Sequence, residues 1–389
     1  MWSPLTGPDG AIMSQLADRF SQENKHGIKV QHVAQPEYLQ KLNSAAAGNS
    51  LPEMTVIRAS DIAEMAARNV LKPMSEDTLR IVGGTSLAAE FPEQVWNIGA
   101  YKDQRYAIPL DIHPLVLYYN KDLFQKAGIT MPTDRPMNRQ EFEAAAEKLT
   151  KDGVTGIAIG TNFGGENLFE TLIVQFGGSV LNKEGTEATF NTEEGVRALT
   201  YLRDLQQKYS PTISGQGDPQ VKAFQAGKAA MVIHGPWHLA NLQKLPSTGV
   251  TMIPQFGDKF AVWGNSHQVA LTTADPAKQA AAGCWIGWLS ENSAQWATAG
   301  QVPARKSVRT SPELKSVAPA ITNFAAEVEQ VVLRPPVPGI GPAIQGEGYG
   351  RAVNGILLGQ QTDIKAALDE AAQRSNQLIK QNAQQYGGQ

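Results

Sequence analysis

The chain holds one cysteine, Cys284, among 389 residues, so neither an intrachain disulfide nor a multi-cysteine metal site is open to it. That thiol lies in the apolar stretch AAAGCWIGWL, where a buried, inert side chain is expected. No run approaches the roughly 18 to 20 consecutive apolar residues that a membrane span needs. An excess of positive charge is lacking too. The formal net charge is −3 and no basic run is interleaved with aromatics, which argues against nucleic acid as a partner. There is no Walker loop, no G-x-S-x-G elbow and no repeat of fixed period.

Other absences concern chemistry. His234 and His238 have the spacing of helical metal ligands, but Gly235-Pro236 breaks any helix between them and no Glu follows His234, so no metal is expected. Gly339, Gly341 and Gly346 follow no predicted strand, which removes the dinucleotide-loop reading. Glu166 and Glu170 could in principle form a glycosidase acid/base pair; exposed carboxylates at a helix start are the simpler account. No catalytic residue and no cofactor is expected.

What is present suits a soluble globular protein, 42% hydrophobic and 18% charged. The length exceeds what one core usually supports, so two domains are expected. Ile12, Leu16 and Phe20 mark a helix face, IKVQHV (28–33) alternates like a half-buried strand, and Tyr38 to Ala47 reads as a helix. MTVI (54–57) is a buried strand whose outlet, Arg58 to Asp61, precedes a helix from Ile62 that Asp61 can cap. Strand and helix alternating in this rhythm signal a parallel α/β sheet. Tyr106 to Asn120 reads as two extended segments joined through Asp111 to Pro114, followed by a helix closed at Gly128. Further along come a helix over 141–149, a strand over 154–159 with the loop 161–167 at its end, and helices over 168–176 and 192–209. A strand over 250–253 and the segment 259–272 precede a helix over 278–296 whose Trp285, Trp288 and Trp296 read as core. PPVPGIGP (335–342) is a rigid loop. Ile364, Leu368, Ala371, Ser375 and Leu378 trace the last helix, with Thr362 as its cap.

The chain is organised around VKAFQAGKAAMVIHGPWHLANL (221–242). It reads as a short helix closed by Gly227, a buried strand, a Gly-Pro break and a further helix start. The break throws Trp237 out at the end of a strand, where α/β sheets bind ligands. "GKAAM" followed by "GPW" resembles the solute-binding proteins of bacterial ABC importers, specifically the extracellular sugar-binding group of maltose-binding-protein-like members. YAIPLDIHPLVLYYNKDLFQKAGI is a second match, and in that family it marks the first crossing between lobes. The family's "P.TWdEF" segment appears as Met137 to Phe142 without its Trp.

The resemblance implies a two-lobed periplasmic-binding-protein (type II) α/β fold, each lobe a β-sheet flanked by helices, with a ligand cleft between them. The lobes would be 1–110 plus 261–306 and 111–260 plus 307–389. It implies a carbohydrate ligand (a di- or oligosaccharide), ABC permease subunits as partners, a monomer, and no enzymatic activity. It also implies a periplasmic or extracellular protein, membrane-associated through the permease or a lost lipid anchor, with an export signal already removed before MWSPL. Trp237 would stack on a sugar ring, helped by Gly235, and Phe163 and Trp263 would add aromatic surface, with Trp2 as cleft wall or strand core. Asp61, Asp111 and His113 would bind hydroxyls, with Glu37, Tyr349 and Arg305 as outer candidates. Arg58 stands where the family's maltose binders carry an aromatic residue; with His113 and Arg305 it leaves open an anionic sugar derivative or a glycerol phosphodiester, and a carbohydrate-active enzyme of similar shape is the remaining alternative.

Overall fold

The computed structural model describes residues 1–161, 163–210, 215 and 217–386. Two separate sheets carry the mixed α/β fold, and a third, four-stranded sheet joins them. The five-stranded sheet runs in the order Val33–Ala34, Trp2–Ser3, Met54–Arg58, His267–Leu271 and Ala107–Pro109. Its first three strands are parallel, and His267–Leu271 returns antiparallel to both of its neighbours. The buried residues of MTVI make Met54–Arg58 the centre of this sheet. Tyr38–Ala47 and Ala59–Ala67 cover one face through Tyr38, Leu42, Ile62 and Met65.

The three-stranded sheet orders Thr248–Met252, Val116–Asn120 and Met231–His234, all antiparallel. Thr155 and Ala158 add parallel bridges to Ala229 and Val232. Helices Phe163–Gln175 and Glu193–Tyr209 pack together beside it, burying Leu168, Leu172, Leu199 and Leu202. Between the two sheets lie Val302–Pro303, Asp111–Pro114, Val262–Asn265 and Val331–Val332. Two chain crossings pair there: Gly264 opposes Pro114, and Asn265 opposes His113. Gly264 is required at that point, because a Cβ would stand 2.9 Å from Val331 and 3.2 Å from the Pro114 backbone.

Several expectations are corrected. Residues 28–32 form no strand, and pairing begins only at Val33. Val30 N–H instead donates to Ser21 Oγ and Lys29 Nζ to the Ser21 carbonyl, so loop contacts replace the ladder. Residues 154–159 pair only through isolated bridges. The segment 106–120 holds three strands, not two. The expected loop 161–167 gives way to helix from Phe163. The helix after Arg58 starts at Ala59, so Asp61 lies in its first turn and caps nothing. The last helix, Ile364–Tyr386, is capped by Asp363, which accepts from Ala366 N–H, in place of Thr362. Trp285 and Trp296 are fully buried as expected, Trp288 packs on Phe20 from a half-buried position, and Cys284 is half-buried.

One buried group in this frame is poorly served. Glu327 is fully buried, its Oε1 accepts from Ile253 N–H at 2.5 Å, and its Oε2 has no hydrogen-bond partner among the described residues. Burial pushes its carboxyl well above the ordinary range, opposed only by that single N–H. A folded-state pKa above the unfolded one means stability is fully present at acid pH and is lost as pH rises past the unfolded value, about 4.3. Glu327→Gln keeps the acceptor and cannot ionise. It should therefore be more stable than the parent by about 1–3 kcal/mol at pH 8, with the gap closing toward pH 4. Chemical denaturation at the two pH values checks this.

Candidate ligand-binding site

The cleft between the two sheets encloses a cavity of about 550 Å³. Asp9, Arg58, Ser60, Asp61 and His267 line it from the five-stranded side, and Glu166, Glu170, Trp237, Arg334 and Gln345 from the other. His113, Trp263, Gly264 and Asn265 come from the crossing strands. The 335–342 loop contributes Pro335, Pro336, Ile340, Gly341 and Pro342. It is part of the wall, and the sequence reading gave it no such place.

Beneath the floor lies Asp111, with no exposed surface. Its Oδ1 accepts from His267 N–H (2.9 Å) and faces His113 Nδ1 (3.0 Å). Its Oδ2 accepts from Trp296 Nε1–H (2.8 Å) and faces His267 Nδ1 (2.8 Å). Burial alone would raise this carboxyl, but the His267 charge and the two imidazole hydrogen bonds together hold it well below the usual range. Burial and the neighbouring His267 lower His113, keeping its imidazole neutral. His267 goes the other way: burial disfavours its charge, yet Asp111 outweighs burial and raises it. The result is a buried ion pair with one neutral imidazole facing the cleft. Asp111 thus acts through His113 and His267 and does not itself reach the cavity.

Trp237 follows the Met231–His234 strand in a one-turn 3₁₀ segment, Pro236–His238. A Cβ at Gly235 would lie 1.9 Å from the Trp237 ring, so glycine lets the indole fold back over its own backbone. Gly235 itself is buried outside the lining and accepts from Tyr118 Oη through its carbonyl. The indole stands edge-on to His113 and His234, with ring centroids 5.7 and 5.5 Å away. It is half-buried and keeps surface toward the cavity.

Arg58 and Asp61 line the cavity as a pair, Nε donating to Oδ2 at 3.1 Å. Trp263 lines it at 8% exposure. The outer candidates fall elsewhere. Glu37 is exposed, with φ +53° at the start of the Tyr38–Ala47 helix, and Leu39 reaches the cavity in its place. Trp2 packs into the core beside the five-stranded sheet because its backbone pairs with Val33 and Thr55. Arg305 turns away to Glu90, 3.5 Å off, and Ser307. Tyr349 is fully buried behind the wall, donating to Glu170 at 2.6 Å. The side chain of Phe163 and all of Asn162 lie outside the described residues.

Several lining residues had no signal in the sequence, Arg334 and Gln301 among them. Arg334 donates to Glu170 (2.5 Å), Gln345 (2.9 Å) and Tyr349 (2.7 Å), and Glu170 is correspondingly buried and not an exposed helix-start carboxylate. Glu166 accepts from Gln345 and Asn354, so neither glutamate is poised as an acid/base pair. Gln301 is fully buried at the cavity, and neither its Oε1 nor its Nε2 has a partner among the described residues. It follows Gly300, whose φ of +109° and 2.0 Å Cβ approach to the Pro236 carbonyl admit only glycine. That contact sets Gln301 against the Trp237 turn.

Residues 15–322 match the family model described as bacterial extracellular solute-binding protein. The sn-glycerol-3-phosphate-binding periplasmic protein UgpB of Escherichia coli K12 is 26% identical over 409 residues, covering 97% of this chain and 92% of the relative. Among solved structures, the cyclic α-maltosyl-1,6-maltose binding protein of Arthrobacter globiformis superposes with TM-score 0.82 at 21% identity, covering 98% of each chain. The sugar-binding protein MalE of Xanthomonas citri gives 0.83 at 20%, covering 100% of this chain and 98% of its own. A Thermotoga lettingae ABC-transporter solute-binding protein bound with α-D-tagatose gives 0.80 at 23%, covering 97% and 98%. These likenesses carry the two-lobed fold.

Asp111→Asn should remove the buried ion pair and turn an amide N–H₂ toward at least one of the four donors. A loss of about 3–5 kcal/mol at pH 7 is expected. Because the Asp111 pKa is depressed in the fold, its contribution is present above the unfolded value of about 3.9 and fades as pH falls below it. Denaturation curves for parent and variant should therefore converge in acid.

Proposed function

The chain belongs to the bacterial extracellular solute-binding proteins, and from that premise we propose that its cleft captures a neutral carbohydrate, a di- or oligosaccharide, for delivery to an ABC permease. One observation carries the choice of ligand: the cleft's cations are already paired, while a buried neutral amide in its lining has its hydrogen-bonding demand unmet. Arg58 is paired with Asp61 and Arg334 with Glu170, which leaves Asp9 and Glu166 as surplus carboxylates. Among the described residues of the lining, the buried group without partners is the Gln301 amide, one donor side and one acceptor side in a plane. Adjacent hydroxyls of a sugar satisfy such an amide and also donate to the surplus carboxylates. The half-buried Trp237 indole offers an apolar face to the C–H side of the ring.

We further place the lobes at 1–110 plus 261–306 and 111–260 plus 307–389. Support comes from the sheets: each of the two main ones draws its strands from only one of these sets. Ligand touching both walls would favour the closed arrangement by its difference in affinity for the two states. The protein acts as a binder and not as an enzyme in this reading.

The second reading, a glycerol phosphate or phosphodiester, is favoured by the near full-length likeness to UgpB and by the presence of Arg58 and Arg334 in the lining. A phosphate there would compete with the carboxylates that already hold both guanidiniums. At about 4 Å and a surface-like dielectric, one unit charge against another is worth about 4 kcal/mol, so the surplus Asp9 and Glu166 weigh against a dianion.

Calorimetry with a panel of neutral oligosaccharides, sn-glycerol 3-phosphate and glycerol phosphodiesters separates the readings. A neutral sugar should bind, and binding by the phosphate esters alone would overturn the proposal. For that sugar, Trp237→Ala should cost about 1–3 kcal/mol of affinity with the fold intact by circular dichroism. Gln301→Leu should weaken binding at least about tenfold, 1.4 kcal/mol. The same variant should raise the ligand-free protein's stability by about 1 kcal/mol or more, because two unpaired polar atoms leave the interior. A lower melting temperature in Gln301→Leu would mark the amide as structural.

A further inference from the structure

A second cluster of ligating side chains stands behind Trp237, and it does not depend on the carbohydrate reading. Asp218 precedes the Pro219–Gln225 helix but makes no capping hydrogen bond with it. Its carboxylate turns instead to the histidines that end the Met231–His234 strand and the Pro236–His238 turn: Oδ1 lies 3.1 Å from His234 Nε2, and Oδ2 lies 3.1 Å from His238 Nε2. One atom from each of the three residues lies within 4.8 Å of both others. The Gly235-Pro236 break that rules out a helical His-x-x-x-His pair does not keep the imidazoles apart. The tight turn brings their centroids to 4.5 Å.

The geometry points to a transition-metal site of the zinc class formed by Asp218, His234 and His238. Metal bonds of about 2.0–2.1 Å in tetrahedral array put ligand atoms roughly 3.3 Å apart, close to the two nitrogen–oxygen separations here. Two imidazoles with one carboxylate select zinc, cobalt or nickel over calcium and magnesium, which take oxygen ligands. Asp218 and His238 keep 33% and 19% of their side-chain surface, which leaves a solvent-side position for a water as fourth ligand. Bound there, the ion would pin the Pro236–His238 turn, and with it Trp237, to the Asp218 end of the preceding Pro219–Gln225 helix.

The other cluster with the same residue types, Asp111, His113 and His267, is closed to an ion. Its carboxylate is already taken up by a backbone N–H and the Trp296 indole as well as by both imidazoles. Among the described residues, the Asp218 carboxylate meets only its two histidines.

Chelator-treated full-length protein should be titrated with ZnCl₂ by calorimetry and with CoCl₂ by visible absorption. The expected result is one equivalent of metal, a cobalt d–d spectrum of four-coordinate intensity, and a melting temperature raised by zinc. His238→Ala and Asp218→Asn should each lower zinc affinity at least tenfold and abolish the thermal shift, while His26→Ala, at an exposed histidine, changes neither. Circular dichroism and metal-free melting curves show whether the variants fold. Absence of stoichiometric binding to the parent protein would overturn the site, as would equal binding by folded Asp218→Asn.

Discussion

One buried carboxylate holds the two halves of this molecule in register. Asp111 lies where the chain first leaves the five-stranded sheet, and its oxygens meet the start of the returning strand at His267, the crossing strand's own His113, and the indole of Trp296. Taking a carboxylate wholly out of water costs several kcal/mol, and only donors that converge from all sides offset it. Here they come from three separate parts of the chain. The ion pair is therefore satisfied only when both crossings and the Trp296 turn are in their native places. A buried charge of this kind contributes specificity of arrangement more than net stability, because any slip of the Asp111–Pro114 strand against Val262–Asn265 would strand it.

The cleft inherits its geometry from that knot. His113 and His267 both reach the cavity, and Asp111 fixes each ring through Nδ1. Trp237 then rests edge-on against His113, so the indole belonging to one wall is oriented by a histidine of the crossing strand. On the far wall the same economy holds: Glu170 accepts from Arg334 and Tyr349, and Arg334 and Glu166 share Gln345. Such networks are stiff, and they use up charge. What remains for a ligand is a set of oriented dipoles, apolar faces and the carboxylates of Asp9 and Glu166, which suits hydroxyls and C–H surfaces better than a phosphate.

Much of this was legible from the chain because the signals were local. GKAAMVIHGPW contains its own strand, its own break and its own aromatic, so Trp237 could be placed at a strand end without knowing the rest. MTVIR and the crossing segment around Asp111 announced themselves by apolar runs bounded by polar outlets. Signals that depend on distant partners failed. IKVQHV alternates like a strand, yet Ser21 takes its backbone group before a ladder can form. Arg334 looks like an ordinary basic residue of a proline-rich loop until Glu170, far away in sequence, is seen to hold it. In GQVPARKS the eye goes to the charged Arg305, which is tied to Glu90. The neutral Gln301 four residues earlier is the one with unspent hydrogen-bonding capacity. Being unpaired is a property of surroundings, and no sequence pattern encodes it.

The two aspartate–histidine–histidine groups make the same point about chemistry. Their composition is identical and both sit beside Trp237, through His113 on one side and through His234 and His238 on the other. What separates them is saturation and access. Asp111 is sealed, and its donors include a main-chain N–H and an indole that cannot move without dismantling a strand and a helix terminus. Asp218 is one-third exposed and, among the described residues, answers only to side chains, which can exchange a proton for another electrophile without disturbing the backbone. The first arrangement is a fastening and the second retains capacity to ligate. Residue type alone could not distinguish them, whereas a count of donors around each carboxylate does.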